Sequence, residues 1–293
     1  MNLSPTKEKG VLYIEGFFPP HVHAYQTTRQ GGGSQPPFDG FNLGAHVGDV
    51  AESVAANRIL FQRFFPRDLS WLTQVHGVDV ARLDRGAGGS DQFPDLPSKL
   101  ADRRADAAIT STVDEPCVVM TADCLPILFY SDIHEQVGAI HVGWRGLCGG
   151  VIQAVLHELF QPMSLRPKKH KSEALDFYFW FGPCIGGEAF EVGSDVKAQF
   201  LEAYPDVEGF FTASSRMPDR WLCDLYGMSI AMIKQTISLS DVPHAVLHFS
   251  DRPECTFMNP EKYFSYRRDK TTGRMASGIF FSHRSDCHDS QCV

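Results

Sequence analysis

Two histidines and a cysteine, His76, Cys124 and His141, stand in the largely apolar stretches LTQVHGVDV, TADCLPILFY and GAIHVGWRG, the first and last of which are punctuated by glycine. Zn2+ readily takes imidazole nitrogen and thiolate, and a catalytic zinc keeps three protein ligands with a fourth position for water or substrate. Three candidate donors match that stoichiometry for a mononuclear centre. Their separations, 48 residues from 76 to 124 and 17 from 124 to 141, match none of the compact zinc-finger spacings. Taken one at a time, each reads first as a packed core histidine or an apolar thiol. The same atoms also admit metal-free chemistry, with Cys124 as a thiolate nucleophile and His141 as its base. Either chemistry requires the three side chains to converge in space.

Several neighbours extend the candidate site. Asp123 adjoins Cys124 and could orient a ligand or carry a proton; in a strand it would face away from Cys124, unless the chain turns near Pro126. Gln74, two residues before His76, could share its face and bond a substrate. Arg29, Arg145 and Arg267 are candidate anion binders, because guanidinium pairs with phosphate in a bidentate way. Each arginine alone reads equally as a surface or structural residue.

The elements that must position these groups can be read from pattern. Val11 to Tyr25 is apolar and aromatic, an opening strand or hairpin, and TTRQGGGSQPPFDGFNLG then forms a long loop. Residues 51–65 carry apolar positions at helical spacing and predict an amphipathic helix ending before Pro66. Two short strands are expected around Gly77. A polar loop follows from Asp84 to about Ala105. DAAITST, PCVVMTADC, LPILFYSD and QVGAIHVGWRG read as successive strands of one sheet, with GGVIQAVLHELF as a helix packed on it. LDFYFWF predicts a further strand, then come a helix from about Ser194, another over LCDLYGMSIAMIKQTISL, a strand at HAVLHF and a last strand near MASGIFFS. The expectation is a single α/β domain over 11–282, a layered sheet-and-helix sandwich, between tails at 1–10 and 283–293.

Composition narrows the functional classes. With 43% apolar residues and 22 Phe in 293 residues, the chain can bury a substantial core. A net charge of −8 argues against general nucleic-acid binding, and the basic run RPKKHK is short and flanked by Glu173 and Asp176. No apolar run is long enough to span a bilayer and the first residues lack a signal-peptide core, so a cytoplasmic protein is expected. Eight cysteines, several within apolar stretches, read as buried thiols rather than disulfides. His283, Cys287, His288 and Cys292 have a spacing that could hold a metal, although a solvated terminus is the plainer reading.

LTQVHGVDV, ADAAITS, TADCLPILFY, GAIHVGWRG, FGPCIGGEAFEVG and FSYRRDKTTGRMA together resemble the YfiH/YlmD family, also described as multicopper polyphenol oxidoreductase or "laccase domain" proteins. The resemblance runs from about residue 27 to the final strand. It implies an α/β fold related to the cysteine-hydrolase-like bacterial toxin domains. It also implies one zinc per chain, held by the His of QVHG, the Cys of ADC and the His of HVGWRG, which are His76, Cys124 and His141 here. The implied activity is phosphorolysis of adenosine, inosine, guanosine and S-methyl-5′-thioadenosine with phosphate as co-substrate, together with deamination of adenosine. Cys124 and Asp123 are then the catalytic candidates, and Asn42 in FNLG and Cys184 in FGPCIGG join the substrate-side set of Arg29, Gln74, Arg145 and Arg267. A monomer or homodimer acting on small molecules is expected. The laccase description fits one cysteine and two histidines poorly, since a multicopper oxidase needs many more clustered histidines. A metal-free Cys/His hydrolase or amidase, for example acting on a nucleotide-sugar, and a non-catalytic partner-binding protein are the competing classes.

Overall fold

The computed structural model describes residues 3–84, 104–133, 135–160, 175–240, 242 and 244–284. In chain order the strands are β1 (Leu3–Pro5), β2 (Val11–Ile14), β3 (Val22–Thr27), β4 (Val80–Arg82), β5 (Ala107–Thr110), β6 (Cys117–Thr121), β7 (Leu125–Ser131), β8 (Gln136–Val142), β9 (Leu175–Phe181), β10 (Glu191–Gly193), β11 (Phe211–Ala213), β12 (Arg220–Cys223), β13 (Ala245–Phe249) and β14 (Met275–Phe281). The helices are α1 (Ala51–Gln62), α2 (Trp144–Gly149), α3 (Val151–Phe160), α4 (Ser194–Ala203), α5 (Leu225–Ser238) and α6 (Tyr266–Asp269).

Strands β7 and β8 are buried along their whole length, which is why LPILFYS and QVGAIHV carry apolar residues with little alternation. They sit in the middle of a six-stranded sheet ordered β13-β9-β7-β8-β5-β4. Alternate residues of these strands serve two different cores. Leu125, Ile127, Phe129, Ile140 and Val142 pack with Ile152 and Leu156 of α3 and Met228 and Ile233 of α5. Leu128, Tyr130, Val137 and Ala139 face the other way, against Ala24, Cys117, Val119 and Ile279 of a second sheet. That sheet is five-stranded, ordered β1-β2-β3-β14-β6, and all its pairings are antiparallel. Its outer face is covered by Phe61 of α1 with Phe41, Leu43 and Phe65. The result is four layers of helix, sheet, sheet and helices, the layered α/β sandwich expected from the sequence.

Five features differ from the sequence reading. The run PCVVMTADC does not join its neighbours in one sheet: β6 pairs with β14, and the chain crosses to the other sheet through Ala122, Asp123 and Cys124 before β7 begins. Of the two strands expected around Gly77, only β4 forms, because Val75, His76 and Gly77 turn their N–H groups onto the carboxylate of Asp106 instead of a ladder. Residues 3–5, within the segment read as a tail, are β1 and pair with β2 through Leu3 and Ile14. The helix expected from Gly149 begins earlier, at Trp144, and is divided by Gly150, whose φ of 94° ends α2. Leu222 and Cys223, read as helical, belong to β12 in a small sheet ordered β10-β12-β11. The basic run at 166–171 and Cys287, His288 and Cys292 lie outside the described residues. No described helix is long and apolar enough to cross a membrane.

Candidate metal centre and cleft

The three donors expected from sequence meet at the seam between the two large sheets. Their ligand atoms lie within 4.8 Å of one another, and among the described residues this is the one His/Cys/Asp/Glu cluster that could hold a metal ion. Each comes from a different kind of segment. Cys124 sits on the crossing from β6 to β7, His141 near the end of β8, and His76 in the loop before β4. Cys124 Sγ is 3.7 Å from His76 Nε2, and the imidazole rings of His76 and His141 stand edge to face with centroids 4.7 Å apart.

Asp106, immediately before β5 and fully buried, fixes two of the three. Its Oδ1 accepts from His141 Nδ1 at 2.8 Å and from the His76 N–H at 2.9 Å, while Oδ2 accepts from the N–H of Val75 at 3.2 Å and of Gly77 at 2.7 Å. Binding Nδ1 to the carboxylate leaves His141 Nε2 as the ligand nitrogen. The same clamp holds His76 at φ 60°, a left-handed backbone that a non-glycine residue keeps only when its surroundings impose it. Gln74 docks this loop on the other sheet, donating to Met120 O at 2.8 Å and accepting from Met120 N–H at 2.7 Å.

A single zinc ion fits these donors. Zn–S of about 2.3 Å and Zn–N of about 2.0–2.1 Å at a tetrahedral angle separate S and N by about 3.6 Å, and the observed pair is at 3.7 Å. Space is kept by Gly143: a Cβ there would come 2.7 Å from His76 Cδ2 and 3.1 Å from Cys124 Sγ. The electrostatics agree. Burial pushes the Cys124 thiol up, but the imidazoles of His141 and His76 outweigh it and bring it down to about 6. Burial likewise works against charge on His141, and the Cys124 sulfur and the Asp106 carboxylate overcome it, raising the imidazole to about 9. Without metal, the two shifts together favour a thiolate–imidazolium pair.

These donors lie in a cleft of ≈500 Å³. Ile185, Phe190 and Leu225 form an apolar wall, while Arg145, Arg267, Lys270, Arg274 and His46 supply positive or titratable groups. Asp123 and Gln74 also line it, but their polar atoms are already engaged. Asp123, at φ 90° where the chain turns between sheets, accepts from Thr256 Oγ1 at 2.6 Å and from the Arg267 N–H at 2.6 Å. Arg267 Nη1 in turn donates to Glu191 O at 2.8 Å. Arg145 stacks its guanidinium over Trp144, 4.5 Å from the ring centroid.

Three candidates from the sequence do not line the cleft. Arg29 is spent on Asp39 and Pro260 O. Asn42 is fully buried and organises a turn, accepting from the N–H groups of Gly44 and Arg274. Cys184 is a buried thiol whose titration is driven well up by burial. Contributors that escaped the sequence reading include Asp106, whose signal was a lone acid opening the apolar block ADAAITS, and His46, Lys270 and Arg274, the last two within FSYRRDKTTGRMA.

Known proteins resemble this chain over nearly its whole length. Residues 23–286 match the family described as multi-copper polyphenol oxidoreductase laccase. An Escherichia coli (strain K12) protein named purine nucleoside phosphorylase YfiH is 39% identical over 267 residues, covering 89% of this chain and 95% of its own. A purine nucleoside phosphorylase of Haemophilus influenzae is 36% identical over 265 residues, covering 90% and 96%. The crystal structure of a Neisseria meningitidis protein superposes with a TM-score of 0.74 at 32% identity, covering 94% of this chain and all of that one (100%). With its four-layer sandwich and a Cys/His/His cluster at the seam, the chain belongs to the multi-copper polyphenol oxidoreductase laccase family, the family of the YfiH proteins.

Proposed function

We propose that this chain is a zinc-dependent purine nucleoside phosphorylase, taking adenosine, inosine, guanosine and S-methyl-5′-thioadenosine, with adenosine deaminase activity at the same centre. The observation that carries the reading is the pairing of a three-donor, one-ion site with a cleft divided between an apolar wall and cationic groups. Relatives at 36% and 39% identity bear the phosphorylase name, which supports it further.

Phosphorolysis forms a bond between a phosphate oxygen and C1′ and breaks the bond from C1′ to the purine, whose nitrogen keeps the electron pair and takes up a proton. The residues serve these needs separately. Ile185, Phe190 and Leu225 give a flat purine an apolar surface and exclude water around the reacting bond. The cationic side chains hold the phosphate dianion and reduce its repulsion from the departing purine. Asp106 keeps the His141 proton on Nδ1 and the His76 loop in place, so both imidazoles present Nε2 to a common point. A bound zinc supplies Lewis acidity toward substrate oxygens and lowers the pKa of bound water toward about 7, the requirement for attack at adenine C6.

The test is hypoxanthine release from inosine with and without phosphate, alongside metal analysis, for the wild type and for His76→Ala, Cys124→Ala and His141→Ala. Phosphate-dependent release, one zinc per chain and losses above about 100-fold in each variant are expected, since even outer residues of a metal site cost about 10–100-fold. Wild-type protein without zinc, or variants with full activity, would reject the proposal. The lowered Cys124 thiol favours one second reading, a metal-free Cys/His hydrolase or amidase. Turnover of an acyl or amide substrate by fully chelated protein, abolished by alkylation of Cys124, would establish that reading in place of the first.

A further inference from the structure

Four cations line the cleft, Arg145, Arg267, Lys270 and Arg274, and among the described residues none has a carboxylate within ion-pair distance. Several arginines elsewhere are ion-paired, Arg29 with Asp39, Arg252 with Asp224, Arg268 with Asp269 and Arg284 with Asp132. Among the described residues, the one carboxylate lining the cleft, Asp123, has its two oxygens on Thr256 and on a main-chain N–H. Four cations thus gather in the cleft of a chain whose net charge is −8, an arrangement that focuses field on an anion.

Arg274 is the member held most firmly. Its N–H donates to Asn42 Oδ1 at 2.8 Å and its carbonyl accepts from the Leu43 N–H at 3.0 Å, fixing the main chain from both sides. Its stem runs against Gly44, where a Cβ would come within 2.7 Å of Arg274 Cγ. Its Nη1 donates to the carbonyls of Thr272 and Gly273, each at 3.0 Å. The edge formed by Nε and Nη2 is left with no partner among the described residues. That edge is the fork that meets two oxygens of a phosphate in parallel. A second half-buried guanidinium lies on the same side: Arg58 donates to Leu43 O at 2.9 Å and has no ion-pair partner among the described residues. His46, at the same side, is shifted down by burial and then by Arg274 and Arg58, as expected where positive charge gathers.

The geometry points to Arg274 as the residue that holds inorganic phosphate in the cleft, with Asn42 and Gly44 as its positioning residues and Lys270 adding charge at the rim. The assignment rests on the phosphorylase reading for what the phosphate does next, while the anion site can be tested by itself. Inorganic phosphate is titrated calorimetrically into the zinc-loaded full chain, and phosphorolysis of inosine is measured on the same samples. Arg274→Met should weaken phosphate binding by at least about tenfold, the scale of a lost hydrogen-bonded charge. It should raise the KM for phosphate by a similar factor, with the KM for inosine and the zinc content unchanged. Arg274→Lys, which keeps charge without the fork, should fall between. Gly44→Ala leaves the arginine present but displaced, and should weaken phosphate at full zinc content. Arg216→Met, on an exposed loop away from the cleft, is the control and should match the wild type. Equal phosphate affinity in wild type, Arg274→Met and Gly44→Ala overturns the assignment, as does a wild type that binds no phosphate. Phosphate bound as expected without hypoxanthine release keeps the anion site and rejects the phosphorylase. Phosphate-dependent release with an unchanged phosphate KM in Arg274→Met does the reverse.

Discussion

Asp106 receives four donors on two oxygens, and through them sets both imidazoles of the centre. Replacing it by asparagine keeps the volume but puts an NH2 group where an acceptor is needed. Asp106→Asn should weaken zinc binding by about 10–100-fold, read by competition with a chromophoric chelator; an unchanged affinity would reduce the residue to a loop fastener. Cys124 gives a second prediction. With the thiol brought down to about 6, its thiolate predominates above that pH. In metal-stripped protein, iodoacetamide should label it with a rate that rises through about pH 6 and levels off by neutrality, whereas an ordinary thiol rises near about 8.5. A half-maximal rate at the ordinary value would mean that the imidazoles do not act on the sulfur. The three candidate donors were legible as a set only through the resemblance of their blocks to a known family, since each taken alone reads as a packed histidine or thiol. Asp106 was not, since one acid before AAIT reads as a turn residue. Arg274 was hidden for another reason: Arg267, Arg268, Lys270 and Arg274 are alike on paper, and only the fold sends Arg268 to the carbonyls of Thr256, Phe257 and Tyr263 while Arg274 faces the cleft.

At the scale of elements, β8 is the strand on which the site depends, since it carries His141 and leads into Gly143. Gly138 lets it lie between β5 and β7: a Cβ there would be 2.3 Å from the Phe129 ring and 2.7 Å from Ala108 O. Gly138→Ala should therefore cost about 1–3 kcal/mol in urea unfolding, the range for an overpacked core, with zinc stoichiometry kept in the folded fraction. A neutral substitution would show that the strands can spread. The apolar runs of β7, β8 and β9 announced themselves, as doubly covered strands do. The partner of β6 did not, because hydrophobic pattern reports burial and not which ladder a strand joins. The small sheet of β10, β11 and β12 went unread because FTA and RWLC are too short and too exposed to show a period.

Over the whole molecule, stability comes from cores that do not include the metal ligands. Phe129, Phe177, Phe179 and Phe181 are buried between the six-stranded sheet and its helices, and Phe41 and Phe61 under α1. Each such side chain contributes about 1.5–3 kcal/mol. Chelation should then lower Tm by an amount set by the free zinc concentration while the far-UV circular dichroism stays native. Collapse of the spectrum on chelation would make the metal a structural part and favour a non-catalytic role. The crossing at Cys124 has one more consequence. Its sulfur rides on the link between the sheets, His141 belongs to one sheet, and the His76 loop is fastened to both through Met120 and Asp106. Neither sheet alone can assemble the donor set. On the zinc reading proposed above, tight zinc capture during refolding should therefore mark the moment at which the sheets meet, and a zinc-sensitive dye added to a refolding chain should act as a clock for that event.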